Sequence, residues 1–292
     1  MSFDRKIFGK RKNRKKWIIA GASLCALAAA GTALFFYVSA KEEENEDELA
    51  EQISRISEIY TEEYQTGVQS RLEEAKASGD YTEESMLIEP DPFGTNSLSL
   101  YVYFETEEAA QVSYSVSAED EDIADFSAVP ASEETASGEH EFQVIGLVPG
   151  MENTVTFTVT YEDGSVTVYT YTTDEVEAAG EEEVQLDTED VSENAAEELS
   201  SGLYVILGND SDGLDFMYYY DNDGVLRGEV PLIGYRSHRL LFQDGLMYYS
   251  ISETQIAAVN SLGMAETIYD TGTYELHHDY AFDADGNLLV LA

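Results

Sequence analysis

Basic residues are what this chain of 292 residues lacks most. Fifteen Lys and Arg stand against 59 Asp and Glu, a formal net charge of −44, and no basic residue lies between Lys76 and Arg227. Eight of the fifteen crowd into residues 1–16, so that from Lys41 onward seven basic residues face 58 acidic ones. A body this acidic repels phosphate backbones, which argues against nucleic-acid binding. Cysteine is nearly missing as well. Cys25 stands alone, so no disulfide can form within the chain and its stability must come from an apolar core. Leu24 before it is too large for the small residue a lipidation site requires there. Nucleophile-elbow, phosphate-loop and zinc signatures are all absent, so nothing in the sequence calls for a metal or a cofactor.

One long apolar run is present. Trp17–Ala40 is 24 residues without a charge, and about 20 helical residues cross a hydrocarbon core. The basic tail 1–16 in front of it implies a single-pass cell-membrane anchor over 17–40, N-terminus cytoplasmic and bulk of the chain extracytoplasmic. A cleaved signal peptide ending at Val38-Ser39-Ala40 is the alternative; the run exceeds the usual apolar region of about 7–15 residues, which favours the retained anchor.

Residues 41–85 are Glu-rich, with Ile53, Ile56, Ile59, Tyr60, Val68 and Leu72 at helical spacing, and read as an acidic helical stalk. From Leu98 the period falls to two: Leu98, Leu100, Val102 and Phe104 alternate with Ser99, Tyr101 and Tyr103. Similar runs at 111–117, 141–147, 154–161 and 165–173, the last two joined by an Asp163-Gly164 hairpin, predict a β-sandwich over 86–173. The stretch from Val144 through Pro149-Gly150 to Val159 resembles the fibronectin type III corner. Residues 174–201 carry too few apolar side chains to offset their ordering entropy and read as an acidic linker.

Over 202–292 hairpin turns recur, with Gly224, Gly245, Gly263 and Gly286 spaced 21, 18 and 23 residues apart. Two hairpins per unit give roughly forty residues, the period of a propeller blade. About two blades fit, so the expected fold class is mainly β: a transmembrane helix, a fibronectin- or immunoglobulin-like sandwich, and the first blades of an incomplete β-propeller.

Chemistry gathers in that last part. Arg227, Arg236, His238, Arg239, His277 and His278 fall within 52 positions of an otherwise acidic stretch, where an anion could be held. Surface pairing with carboxylates is the ordinary alternative for each arginine. In His277-His278-Asp279, strand alternation would let one imidazole face a site and turn the other away, with Asp279 free to fix a tautomer. The Asp-rich turns lack the bidentate Glu of a calcium loop. His140, opening a sandwich strand, reads as structural. Tyr218-Tyr219-Tyr220 and Tyr248-Tyr249 offer a platform for a second reading, a non-catalytic surface module binding carbohydrate or protein.

Three motifs in order then resemble the bacterial arylsulfate sulfotransferases: Glu89-Pro-Asp-Pro-Phe-Gly-Thr-Asn-Ser-Leu-Ser-Leu100, Phe142-Gln-Val-Ile-Gly-Leu-Val-Pro-Gly150, and His277-His278-Asp279 with Asp285-Gly286-Asn287-Leu288-Leu289-Val290-Leu291-Ala292. The resemblance covers residues 85–292. It implies a membrane-anchored extracytoplasmic enzyme that moves a sulfuryl group from an aryl sulfate to a phenol by way of a sulfohistidine, without a nucleotide donor. It makes His278, or His277, the early-blade catalytic histidine that binds sulfate or assists proton transfer; the clustering noted above offers Arg236, Arg239 and His238 as sulfate-binding neighbours. The motif of the sulfurylated histidine is not matched, so the expectation is an N-terminal portion, inactive alone.

Overall fold

The computed structural model describes residues 49–180, 184–186, 202–208, 214–234 and 236–292. The chain divides into two compact units, Met1–Glu51 and Gln52–Ala292, and every described strand lies in the second. No helix among the described residues is long and apolar enough to cross a membrane; the expected span at 17–40 lies outside them, as does Cys25.

Strands dominate. The first sheet is built on β2 (Ser99–Ala118), a 20-residue strand. Its first half pairs with β1 (Leu87–Pro90) and β4 (Ser137–Ile145), and its second half with β3 (Phe126–Ala128) and β5 (Asn153–Tyr161), which in turn pairs with β6 (Val166–Thr172). The sequence suggests two strands here. No Gly or Pro interrupts Glu105–Ala109, and the chain runs through with a register shift between Glu105 and Ala110. The two halves close on one core. Phe142 of β4 lies 6.3 Å from Phe157 of β5 and 6.5 Å from Tyr114, between ring centroids, with Leu100, Val102, Phe104, Val112, Val144 and Val155 packed around them. At the corner, Gly146 holds φ +101°, and a Cβ there would strike the Phe126 ring.

The acidic segment read as a stalk is helical, and it is packed rather than free-standing. Helical residues 52–59 (α1) and Glu62–Ser78 (α2) follow one another, Thr61 capping α2 through its hydroxyl to the Tyr64 N–H. Leu72 and Val68 of α2 cover Tyr101 and Tyr103, which is why both faces of early β2 are buried instead of one. Ile56 and Tyr60 pack on Met217, Tyr219 and Tyr249. The Tyr60 hydroxyl donates to the Pro231 carbonyl at 2.7 Å and sits 3.1 Å from the Tyr249 hydroxyl.

The later strands form a three-stranded antiparallel sheet of β7 (Tyr204–Ile206), β8 (Asp215–Tyr220) and β9 (Leu226–Leu232). Next comes a four-stranded antiparallel meander of β10 (Leu240–Gln243), β11 (Leu246–Ser250), β12 (Gln255–Val259) and β13 (Ala265–Asp270), then a hairpin of β14 (Tyr280–Phe282) and β15 (Leu288–Val290). Gly224, Gly245, Gly263 and Gly286 all sit at positive φ in the turns, as their spacing suggests. This region shares a core with the sandwich: Phe216, Tyr218, Tyr220 and Leu226 join Phe142 and Val155 in one cluster. Arg227 rivets the two parts. Fully buried, it donates to the Asp221 carboxylate at 2.7 Å, to the Gly146 carbonyl at 3.2 Å and to the Ala124 carbonyl. It is therefore not part of any anion site.

Residues 174–180, at the start of the segment read as a linker, are anchored where they are described. Gly150 N–H donates to the Val176 carbonyl, and the Ala179 and Gly180 N–H groups each donate to the buried Glu229 carboxylate at 2.8 Å. Backbone donors meeting a buried carboxylate supply the ordering that apolar content does not.

Candidate active site

His238 and Arg239 precede β10, and His277-His278-Asp279 precede β14, forty positions later in each pairing. Tyr280 brings them together. Its ring is buried, and its hydroxyl donates to the Arg239 carbonyl while accepting from the Ser250 N–H at 3.0 Å. The Ser250 hydroxyl accepts the His238 N–H at 2.9 Å, and Ser237 lies 3.3 Å from it. Sequence reasoning misses Ser250, Ser237 and Tyr280. The signal that could have found the pairing is the forty-residue period, which sets His238 opposite His278 and Arg239 opposite Asp279.

At the triplet the strand pattern fails. His277 N–H donates to the Leu291 carbonyl at 2.7 Å, while Leu291 N–H donates to the Asp279 carbonyl at 3.1 Å. Three residues thus span what one residue opposes, and His278 is squeezed out of the ladder as in a β-bulge. The Asp279 N–H closes on the His277 carbonyl at 2.7 Å, a γ-turn centred on His278 at φ +60°. Strand alternation would send the two imidazoles to opposite faces. The turn instead brings their ring centroids to 4.3 Å, and the His238 ring lies 5.4 Å from that of His278. The His278 N–H donates to His238 Nδ1 at 3.2 Å.

Electrostatics follow from this crowding. Partial burial, then the neighbouring His278, Arg236 and His277, push the His238 imidazole below its usual range, so it is held neutral and able to accept. His277 and His278 are exposed. Asp279 does not orient an imidazole; it pairs with Arg239, whose guanidinium holds the Asp279 carboxyl below the usual carboxylate range. Arg239 therefore neutralises Asp279 rather than offering an open charge, while Arg236 adds positive field at His238. A shallow recess of 310 Å³ formed by Asp279, Tyr280, Ala281 and residues 289–291 adjoins the triplet. Among the described residues no group of three His, Cys, Asp or Glu side chains is arranged to hold a metal ion.

The tyrosines proposed as a binding platform are elsewhere. Tyr218, Tyr219, Tyr220, Tyr248 and Tyr249 are all buried, as is His140, which is bonded to Glu133 at 2.8 Å and stacked on Phe104.

Fold and site together define a mainly-β protein with a two-halved sandwich, and an imidazole cluster with arginine at its edge that suits an oxyanion. Residues 87–176 match the arylsulfotransferase Ig-like domain and residues 188–292 match arylsulfotransferase (ASST); the chain belongs to the arylsulfotransferase family. No curated protein matches it.

Proposed function

We propose that the His238–His277–His278 cluster is a sulfuryl-binding site in a transferase that passes a sulfuryl group from an aryl sulfate to a phenol. The observation that carries this reading is the run of ring contacts from His238 to His278 and on to His277, with Arg236 adding positive field at His238, in a stretch where carboxylates far outnumber basic side chains. Sulfate oxygens accept from ring N–H groups, and an arriving anion draws protons onto the imidazoles. A protonated His278 or His277 then gives its proton to the departing phenolate oxygen as the S–O bond breaks. The sulfur passes to a histidine nitrogen and is taken from it by the acceptor phenol, whose proton leaves to the same imidazoles.

The three-stranded sheet, the meander and the terminal hairpin are read as successive propeller blades around this site, and the apolar run 17–40 as the anchor that holds the body outside the membrane. Because His277 and His278 stand open to water, the chain on its own binds the sulfuryl group without transferring it efficiently. The test is a titration of this chain with 4-nitrophenyl sulfate, following the ring protons of the four histidines by NMR. Shifts at His238, His277 and His278 but not at His140, lost in His278→Ala, support the site. Equal shifts at all four, or none, refute it.

A further inference from the structure

Beyond β5 the sandwich ends on β6 (Val166–Thr172), and no described residue pairs with the other side of that strand. Tyr161 N–H donates to the Ser165 carbonyl at 3.0 Å, and Thr173 N–H to the Asn153 carbonyl at 2.8 Å, so the odd positions of 165–173 face β5. By antiparallel alternation the N–H and C=O groups of Val166, Val168, Thr170 and Thr172 point away from it. The side chains of these residues are exposed, Val168 at 58 %. Edge strands are ordinarily blunted by charge, proline or a bulge. In the same sheet β1 ends in Pro90, and β4 carries Glu139 and Glu141. β6 has no such guard: Gly164–Thr173 is uncharged and free of Pro, and its pairing with β5 runs without a register shift.

Two further features lie along this edge. A recess of 310 Å³ is set between β6 and residues 83–88, with apolar walls from Met86, Ile88 and Phe157, and with Glu83 and Glu84 in its lining. Glu83 is fixed in place, its carboxylate accepting the Tyr161 hydroxyl at 3.1 Å. Carboxylates also bracket the strand, Glu162 and Asp163 before it and Asp174 and Glu175 after it. Antiparallel pairing of β6 with a second copy would set Glu162-Asp163 of one chain against Asp174-Glu175 of the other at both ends. Like charges so placed are destabilising.

We propose that β6 docks an extended, basic segment of a partner protein, which adds to the sandwich as a further antiparallel strand. The outward N–H and C=O groups of Val166, Val168, Thr170 and Thr172 supply the ladder, which binds any extended backbone. The carboxylates supply the preference. Lys or Arg at each end of the incoming strand meets the bracketing acidic pairs. Another, on the face turned toward the core, lays its stem along Met86 and Ile88 and its head at Glu83. A lone basic side chain lacks the ladder, and an acidic strand is repelled.

The experiment is calorimetric titration of the chain with the end-blocked peptide Lys-Thr-Val-Thr-Lys-Thr-Val-Thr-Lys. We expect saturable binding at one per chain, lost when Glu replaces each Lys. Methylating the threonine nitrogens, which face β6 in this pairing, should weaken it by about tenfold or more. Val168→Pro removes an outward N–H that the β5 ladder does not use, so it should leave the fold intact and weaken the peptide by about tenfold. Val168→Lys, at an exposed side chain, should weaken it by repulsion and tests the same edge if proline is not accommodated. Circular dichroism establishes that each variant is folded. Absence of saturable binding overturns the proposal. Binding indifferent to methylation and to the folded variants does so too, since it would be mere attraction to an acidic surface. A dimer seen by sedimentation and dissolved by Val168→Pro would give the edge to a second copy and likewise overturn it.

Discussion

His278 is the residue on which the candidate site turns. A non-glycine residue at φ +60° costs on the order of 1 kcal/mol, and strain of this kind collects where a side chain must be aimed. His278→Gly should therefore leave the melting temperature unchanged or raise it by a few degrees while abolishing aryl-sulfate binding; a loss of stability would mean that the ring is there for packing. The neighbouring imidazole responds to pH. His238 is held neutral in the fold, so as pH falls through about 6.5 the unfolded chain takes its proton first and stability declines. NMR titration should give His238 a pKa below that of a free imidazole, rising when aryl sulfate is added. His140 is a different case, buried against an equally buried Glu133. His140→Ala should cost about 3 kcal/mol in denaturant unfolding, because it strands a carboxylate in the core, and should leave aryl-sulfate binding intact.

Elements were legible to the extent that one face decided them. The β5–β6 hairpin, the turn glycines and the helices were all readable from period and from Gly or Asp. The burial of Tyr101 and Tyr103 was not, because the cover comes from Leu72 and Val68 on a helix whose sequence looks like a solvated acidic stalk. Nor was the side-by-side placement of His277 and His278, because a bulge suspends the alternation from which strands are read. The helices are also fastened by polar contacts that no periodicity announces. Gln65 donates to the carbonyls of Ile59 and Phe93 and accepts the Ala265 N–H at 2.9 Å, stitching α2 to β13. Tyr60→Phe, which removes one hydroxyl bonded to Pro231, should lower stability by about 1 kcal/mol, measured by urea unfolding.

Over the whole body from Gln52 on, the sandwich and the later sheets are not separable modules. Phe216, Tyr218, Tyr220 and Leu226 complete the sandwich core, and burial of each such side chain is worth about 1.5–3 kcal/mol. Against a typical domain stability of about 5–15 kcal/mol, their removal is close to the whole. A fragment of residues 86–173, tidy as it looks in the sequence, should fail to unfold cooperatively in circular dichroism, while residues 52–292 should show a single transition. Two independent transitions in the longer chain would contradict the shared core.

The buried tyrosines have a consequence for the spectroscopist. Burial pushes the phenols of Tyr60, Tyr219 and Tyr249 far up, and that of Tyr114 to about 12. Above pH 10 the unfolded chain ionises these tyrosines and the folded one cannot follow, so alkali erodes stability steadily. Absorbance near 295 nm should then show an abrupt step as the interior gives way. The height of that step counts, in one cuvette, how many rings the fold had kept from water.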